Sequence, residues 1–176
     1  MAQLPAILPG TPLACGFDEF YELASRYLSR RDQKILDRLT LEAPRDTIPT
    51  GSQLADEWLA RERSLRLALA KIRATKKNRS QMLTMDETES LGTRISISRA
   101  ASTAASNENP LEAEQYLIAV RMSWLEELRG NHFFDSEAVF IYGISLLLRE
   151  RSDLFTVETG RDAYSTIYTQ ILGEEA

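Results

Sequence analysis

Between Asn109 and Asp135 the apolar positions Leu111, Leu117, Val120 or Arg121, Trp124, Leu125 and Leu128 recur at three- and four-residue steps, the spacing of one helical face. Asn109 is a capping residue, Pro110 suits the first helical position where its missing N–H costs nothing, and Glu112 stands where a side chain reaches back to the cap amide. Gly130 ends the run, so the pattern predicts a helix of about 20 residues and about 30 Å.

The same periodicity predicts further helices on both sides. Phe17, Phe20, Tyr21, Leu23, Ala24, Tyr27 and Leu28 share one broad face; Ser29 caps a second helix with Asp32 at its third position, and Ile35, Leu36, Leu39 and Leu41 form its buried side. Pro44, Pro49 and Gly51 mark a loop, after which Ser52 starts the longest helix, reaching about Asn78. Its residues Leu54, Trp58, Leu65, Leu69 and Ile72 approximate a heptad seam against which two or three helices can pack. Asp135 caps a helix reaching about Glu150, with Ala138, Val139, Tyr142, Leu146 and Leu147 on its apolar face. A last helix, from about Val157 to Leu172, is expected to bury Ala163, Tyr164, Ile167, Tyr168 and Ile171, and Gly173 ends it.

Two segments lack a clean period. Residues 1–16, punctuated by Pro5, Pro9, Pro12, Gly10 and Gly16, read as extended backbone or turns. Residues 80–108, polar and small with Gly92 among them, read as a flexible connection with one marginal helical piece near Thr93 to Ala105. The expectation is one all-α domain over residues 1–176, a bundle of about six helices with long central members.

Composition agrees with a globular chain: hydrophobic residues are 43% and charged residues 27%. The single cysteine, Cys15, excludes an intramolecular disulfide, and with no secretory pattern at the start it points to a cytoplasmic protein. The densest apolar stretch, Ala138 to Leu148, is about half the length that crosses a bilayer, so membrane contact is expected only through partners. Net charge is −5, yet Arg61 to Arg79 holds eight basic residues against one acid, Glu62. Such a lopsided stripe suits an acidic partner or internal neutralisation.

No residue pattern supplies a catalytic, cofactor or metal site. His132, the only histidine, lies near Asn131, Asp135 and Glu137, but one imidazole with carboxylates in one loop is too few ligands for zinc; the expectation is that Phe133 and Phe134 plug into the core while Asp135 caps. Glu112 with Glu114, and Glu126 with Glu127, diverge on a helix and read as a solvated or docking face. Cys15 has no basic neighbour in sequence to activate it, so no nucleophilic role is read there. The phosphate-binding GxxxxGK[ST] is absent, and so are GxGxxG, HExxH and GxSxG. The residues Arg73, Lys76, Lys77 and Arg79 crowd one helix end and form the candidate partner-binding surface. Nucleic acid is disfavoured, because the sequence pI is about 5.1 and no aromatic is interleaved with these cations to stack bases.

Taken in order, Trp58-Leu-Ala-Arg-Glu62, Leu65-Arg66-Leu-Ala-Leu69-Ala-Lys71-Ile-Arg73, Asn109-Pro-Leu-Glu-Ala-Glu114, Trp124-Leu-Glu-Glu-Leu128, His132-Phe-Phe-Asp135 and Glu150-Arg151 resemble a small bacterial family encoded among V-type (A-type) ATPase genes. That family is similar to the ATPase's C-type adaptor, which lies between central stalk and membrane rotor ring. The resemblance runs from about residue 4 to residue 172 and is strongest at Asn109 to Glu114. It implies a non-catalytic adaptor or assembly subunit without cofactor, partnered by stalk and ring subunits, cytoplasmic and peripheral to the inner membrane. A helical protein-interaction scaffold or regulator unrelated to the ATPase is the alternative class, with nucleic-acid binding through the basic helix 61–79 ranked below it.

Overall fold

A computed structural model describes residues 4–8, 11–42, 48–76, 91–155, 160–161 and 165–169. Over these residues the chain is all-α, with helices α1 (Phe17–Ser25), α2 (Arg30–Arg38), α3 (Gln53–Lys76), α4 (Leu91–Ser106), α5 (Pro110–Arg129) and α6 (Ser136–Leu154). Residues 4–8 and 11–16 are non-helical, as their prolines require.

Short-range chemistry sets the helix starts. Ser29 accepts a hydrogen bond from the Asp32 amide at 3.1 Å and donates to the Asp32 carboxylate at 2.8 Å. Asp135 accepts from the Ala138 amide at 3.0 Å, and Ser52 accepts from Ala55 at 3.1 Å. Asn109 accepts from the Leu111 amide at 3.0 Å, but Glu112 does not reach the cap amide: it takes the Asn109 side-chain N–H instead, because Asn107 already accepts from the Asn109 amide at 3.0 Å. Gly130 ends α5 with φ +43°, a conformation that L side chains rarely adopt.

Long-range contacts set the topology. Arg121 pairs with Glu62 and Glu127 with Arg61, so α5 runs antiparallel to α3. Arg151 pairs with Glu114 at the other end of α5, so α6 runs antiparallel to α5. α4 packs most extensively on α3, and α1 and α2 cover α6. Phe20 meets Tyr142 at 5.0 Å between ring centroids. Gly143 leaves room for that approach: a Cβ there would stand 3.1 Å from Phe20 and 3.3 Å from Leu36, so both side chains would have to shift by a few tenths of an ångström.

Several sequence expectations change. The helical piece expected near Thr93 to Ala105 is present as α4, but it is longer and not marginal: it buries Ile97, Ala100, Ala101 and Ala104, packing chiefly on α3. Small side chains at this spacing make a narrow apolar stripe and allow close helix contact, while Ser96, Ser98, Ser102 and Thr103 face solvent and conceal the period. Residues 80–90 lie outside the described part. The buried face of the first helical segment is narrower than expected: Leu23 and, past the end of α1, Tyr27 are exposed, while Phe20 packs on Tyr142 and Tyr21, Ala24 and Leu28 pack against the core. α6 is buried over most of its circumference, including Phe140, Ile141, Ile144 and Leu148, because helices cover it on several sides. Of the predicted last helix, residues 165–169 are helical, but Ile167 and Tyr168 are exposed; Ala163, Tyr164 and Ile171 lie outside the described residues.

A buried ion pair interrupts the α3 seam. Glu62 is fully shielded and accepts from Arg121 Nε at 2.6 Å and Nη2 at 3.2 Å, with Arg66 Nε at 4.0 Å. The Arg121 position that begins as part of an apolar stripe is therefore the counter-charge to the one acid of the basic run. Burying one partner without the other is strongly unfavourable, so the pair ties α5 to α3 at one register.

Candidate functional site

The C-terminal half of α3, the end of α4 and the start of α5 diverge around a groove of about 730 Å³. Leu69 and Ile72 come from α3, Ala104 from α4, and Leu111 and Leu117 from α5; Phe155, just past α6, closes one side. Each helix delivers these residues because its more buried positions, such as Leu65, Ala101 and Leu125, are already committed to the core.

Three polar side chains border the groove: Arg73, Asn107 and Glu114. Glu114 accepts from Arg151 Nε at 2.6 Å, and the Arg151 guanidinium lies 5.1 Å over the Phe155 ring. That chain of contacts fixes one wall and neutralises its carboxylate. Arg73, by contrast, is exposed, and no ion pair of Arg73 is found among the described residues. An apolar floor with one available cation at its edge suits an amphipathic surface bearing a carboxylate. Nothing in that lining pairs a nucleophile with a base.

Of the four predicted partner-binding cations, Arg73 borders this groove and Lys76 is the last residue of α3. Lys77 and Arg79 lie outside the described residues. The rest of the eight-cation run does not form one open face. Arg61 donates to both Glu57 and Glu127 at 2.7 Å, 6.0 Å from the Trp124 ring, and Arg66 donates to the Leu41 carbonyl while flanking Glu62. Burial disfavours the Arg61 charge, but the hydrogen bonds to Glu127 and Glu57 outweigh it and raise the pKa. The charges of Arg61 and Arg66 are thus engaged by groups of the chain itself.

At the opposite end of α5 a smaller hollow of about 450 Å³ gathers Glu57, Arg61, Glu127, His132 and Glu137. Its charges are matched locally. His132 Nδ1 lies 2.6 Å from Asp135, whose other oxygen caps α6, and Ser52 donates to Glu137 at 2.8 Å. The Asp135 hydrogen bond raises the His132 pKa above its ordinary value. Burial pushes the Asp135 carboxyl up, but hydrogen bonds from His132 and the Ala138 amide hold it below the usual range. Among the described residues no group of three or more His, Cys, Asp or Glu side chains is placed to hold a metal.

Phe133 and Phe134 correct the sequence expectation: they are 61% and 82% exposed and not core plugs. The turn is short and anchored at both ends, so the two rings are carried outward. The acidic pairs are also not purely solvated faces. Glu114 and Glu127 reach across to Arg151 and Arg61, while Glu126 pairs with Arg129 on its own helix. Sequence reasoning missed the groove because its walls come from three helices and residue 155, and missed Glu62–Arg121 although Glu62 stood out as the lone acid among cations.

Among the described residues no helix is long and apolar enough to cross a membrane. Comparison with protein-family models, with curated proteins and with solved structures finds no match to this chain.

Proposed function

We propose that this chain is a non-catalytic adaptor or assembly subunit of a V-type rotary ATPase, similar to the C-type adaptor that joins central stalk to rotor ring. The supporting observation is the apolar groove with exposed Arg73 at its edge, at the basic end of α3. The ATPase assignment rests on the sequence resemblance, strongest at Asn109 to Glu114, whose Leu111 and Glu114 both line that groove. A torque-transmitting adaptor requires stiff helices and docking surfaces; the Glu62–Arg121 and Glu114–Arg151 pairs between α3, α5 and α6 support the first requirement and the groove supports the second.

The partner surface is acidic and partly apolar, meeting the groove floor and Arg73, with Lys76, Lys77 and Arg79 next in sequence adding positive charge. Exposed pairs contribute only about 0.2 to 1 kcal/mol each, so a single reversal has little effect and four together weaken association and slow its on-rate. The experiment is co-purification of wild-type protein and of the variant with all four cations changed to Glu, with stalk and ring subunits, at low and moderate salt. Wild type is expected to recover the subunits and the variant to lose them. Recovery of no ATPase subunit by wild type refutes the assignment and favours a helical scaffold with another acidic partner; equal recovery by both proteins moves the docking site elsewhere.

A further inference from the structure

Three turns meet at the end of the bundle opposite the groove. Arg31, at the start of α2, donates to the Gly51 carbonyl at 2.6 Å, and Ser52 in that turn donates to Glu137, at the start of α6, at 2.8 Å. His132, in the α5–α6 turn, lies 2.6 Å from Asp135, which caps α6. The turns between α1 and α2, before α3 and between α5 and α6 are therefore pinned side by side. Each carries large apolar side chains into solvent: Tyr27 is 83% exposed, Ile48 64%, Phe133 61% and Phe134 82%. None of the four lines either hollow described above, so they are projecting tips and not the walls of a receptor. Held on short anchored turns, they lose little freedom on binding.

The charges beside these tips differ in availability. Residues 26–34 carry four cations, Arg26, Arg30, Arg31 and Lys34, against one carboxylate, Asp32, which accepts from Ser29. Arg26, Arg30 and Lys34 are exposed and take part in no ion pair among the described residues, and Arg31 donates to a carbonyl. The carboxylates around the Phe133–Phe134 turn are by contrast held within the chain: Glu126 by Arg129, Glu127 by Arg61, Asp135 by His132 and Glu137 by Ser52. Exposed rings and an aliphatic tip beside unpaired cations suit a membrane–water interface, where apolar groups enter the headgroup layer and guanidinium groups meet lipid phosphates. A lipid layer also deforms around separate tips, whereas a protein partner needs a matching set of pockets. We infer that this end of the bundle docks directly on a phospholipid surface, and that anionic lipid strengthens the contact through the α1–α2 turn. The sequence expectation was membrane contact through partners alone, because the three turns are brought together only by the fold. Docking at this end leaves the groove open to its own partner, since nearly the whole of α5 separates them, about 30 Å at 1.5 Å per residue.

This contact does not depend on the ATPase assignment. The test is co-sedimentation of the full chain with vesicles of phosphatidylcholine alone and of phosphatidylcholine with about one third phosphatidylglycerol, at low and moderate salt. Wild type is expected to bind both, roughly fivefold more tightly to the anionic vesicles at low salt, with the difference shrinking as salt rises. Two variants at exposed positions separate the parts of the contact, with circular dichroism checking the fold. Phe133→Ser with Phe134→Ser leaves the charge unchanged and is expected to weaken binding to both vesicles about tenfold. Arg26→Glu with Arg30→Glu is expected to abolish the preference for anionic vesicles. Soluble glycerol phosphate in excess should not displace wild type, because the rings require the lipid layer. Wild type that stays in the supernatant with both vesicles overturns the inference, and self-association lost in the Phe133 and Phe134 variant would then assign the face to a second copy. Undiminished vesicle binding by that variant, displacement by glycerol phosphate, or an unchanged anionic preference in the arginine variant overturns it equally.

Discussion

A side-chain oxygen of Glu150 lies 2.7 Å from the amide nitrogen of Phe17, so α6 supplies the cap that α1 lacks in its own sequence. The residue at the N-cap of α1 is Gly16, which has no side chain to offer, and a Cβ there would stand 3.0 Å from that same Glu150 oxygen. The first amide of α1 thereby becomes a tertiary tie, joining positions 133 residues apart.

Glu150→Ala should therefore destabilise the chain by about 0.5 to 2 kcal/mol, the range of a lost helix cap, with Glu150→Gln retaining part of it. Chemical denaturation of the three proteins checks this. A Glu150→Ala variant as stable as wild type would mean that solvent caps Phe17 equally well.

Removing one member of the Glu62–Arg121 pair should be costly. Glu62→Ala or Arg121→Ala is expected to lose about 3 to 5 kcal/mol, because each strands a buried charge. The double variant Glu62→Leu with Arg121→Met should recover most of that loss, since it removes both charges while preserving bulk. Urea unfolding of all four proteins tests it; a double variant as unstable as the sum of the singles would show that the pair's polar character, and not its matching, sustains the interface.

Trp58 and Trp124 anchor the core, being 0% and 4% exposed. Truncation of either to Ala should cost about 3 to 5 kcal/mol. Near-wild-type melting temperatures for both variants, accompanied by lost partner binding, would reassign them to an interface.

The His132–Asp135 pair makes part of the stability depend on pH. Because the folded His132 pKa is raised, its contribution is fully present below the ordinary histidine value of about 6.5 and is lost as pH rises through the elevated folded value. The depressed Asp135 carboxyl acts at the acid end: its contribution is present above about 3.9 and disappears as pH falls through the lowered folded value. With one histidine in the chain, the ring proton resonance reports His132 alone. A titration midpoint at or below about 6.5 would contradict the pairing. The melting-temperature difference between wild type and His132→Ala should be larger at about pH 5.5 than at about pH 8.5.

Sequence by itself determined α1, α2, α3, α5 and α6 and several of their starts. Ser29, Ser52, Asn109 and Asp135 are local signals acting on amides two or three residues away, and Gly130 is a local stop, so no knowledge of neighbours was required. The burial of Trp58, Trp124, Leu36 and Leu65 followed from periodicity in the same way. Tertiary structure decided which polar groups meet. Glu62 and Arg121 are 59 residues apart, and nothing near either one names the other; only the antiparallel alignment of α3 and α5 converts a lone acid and an odd arginine into a buried pair. It also turned the alanine-rich α4 into core, because small side chains gain burial only when another helix comes close. The same packing left Phe133 and Phe134 outside: hydrophobicity states what a residue prefers, but the short anchored turn between α5 and α6 determines where its rings can go.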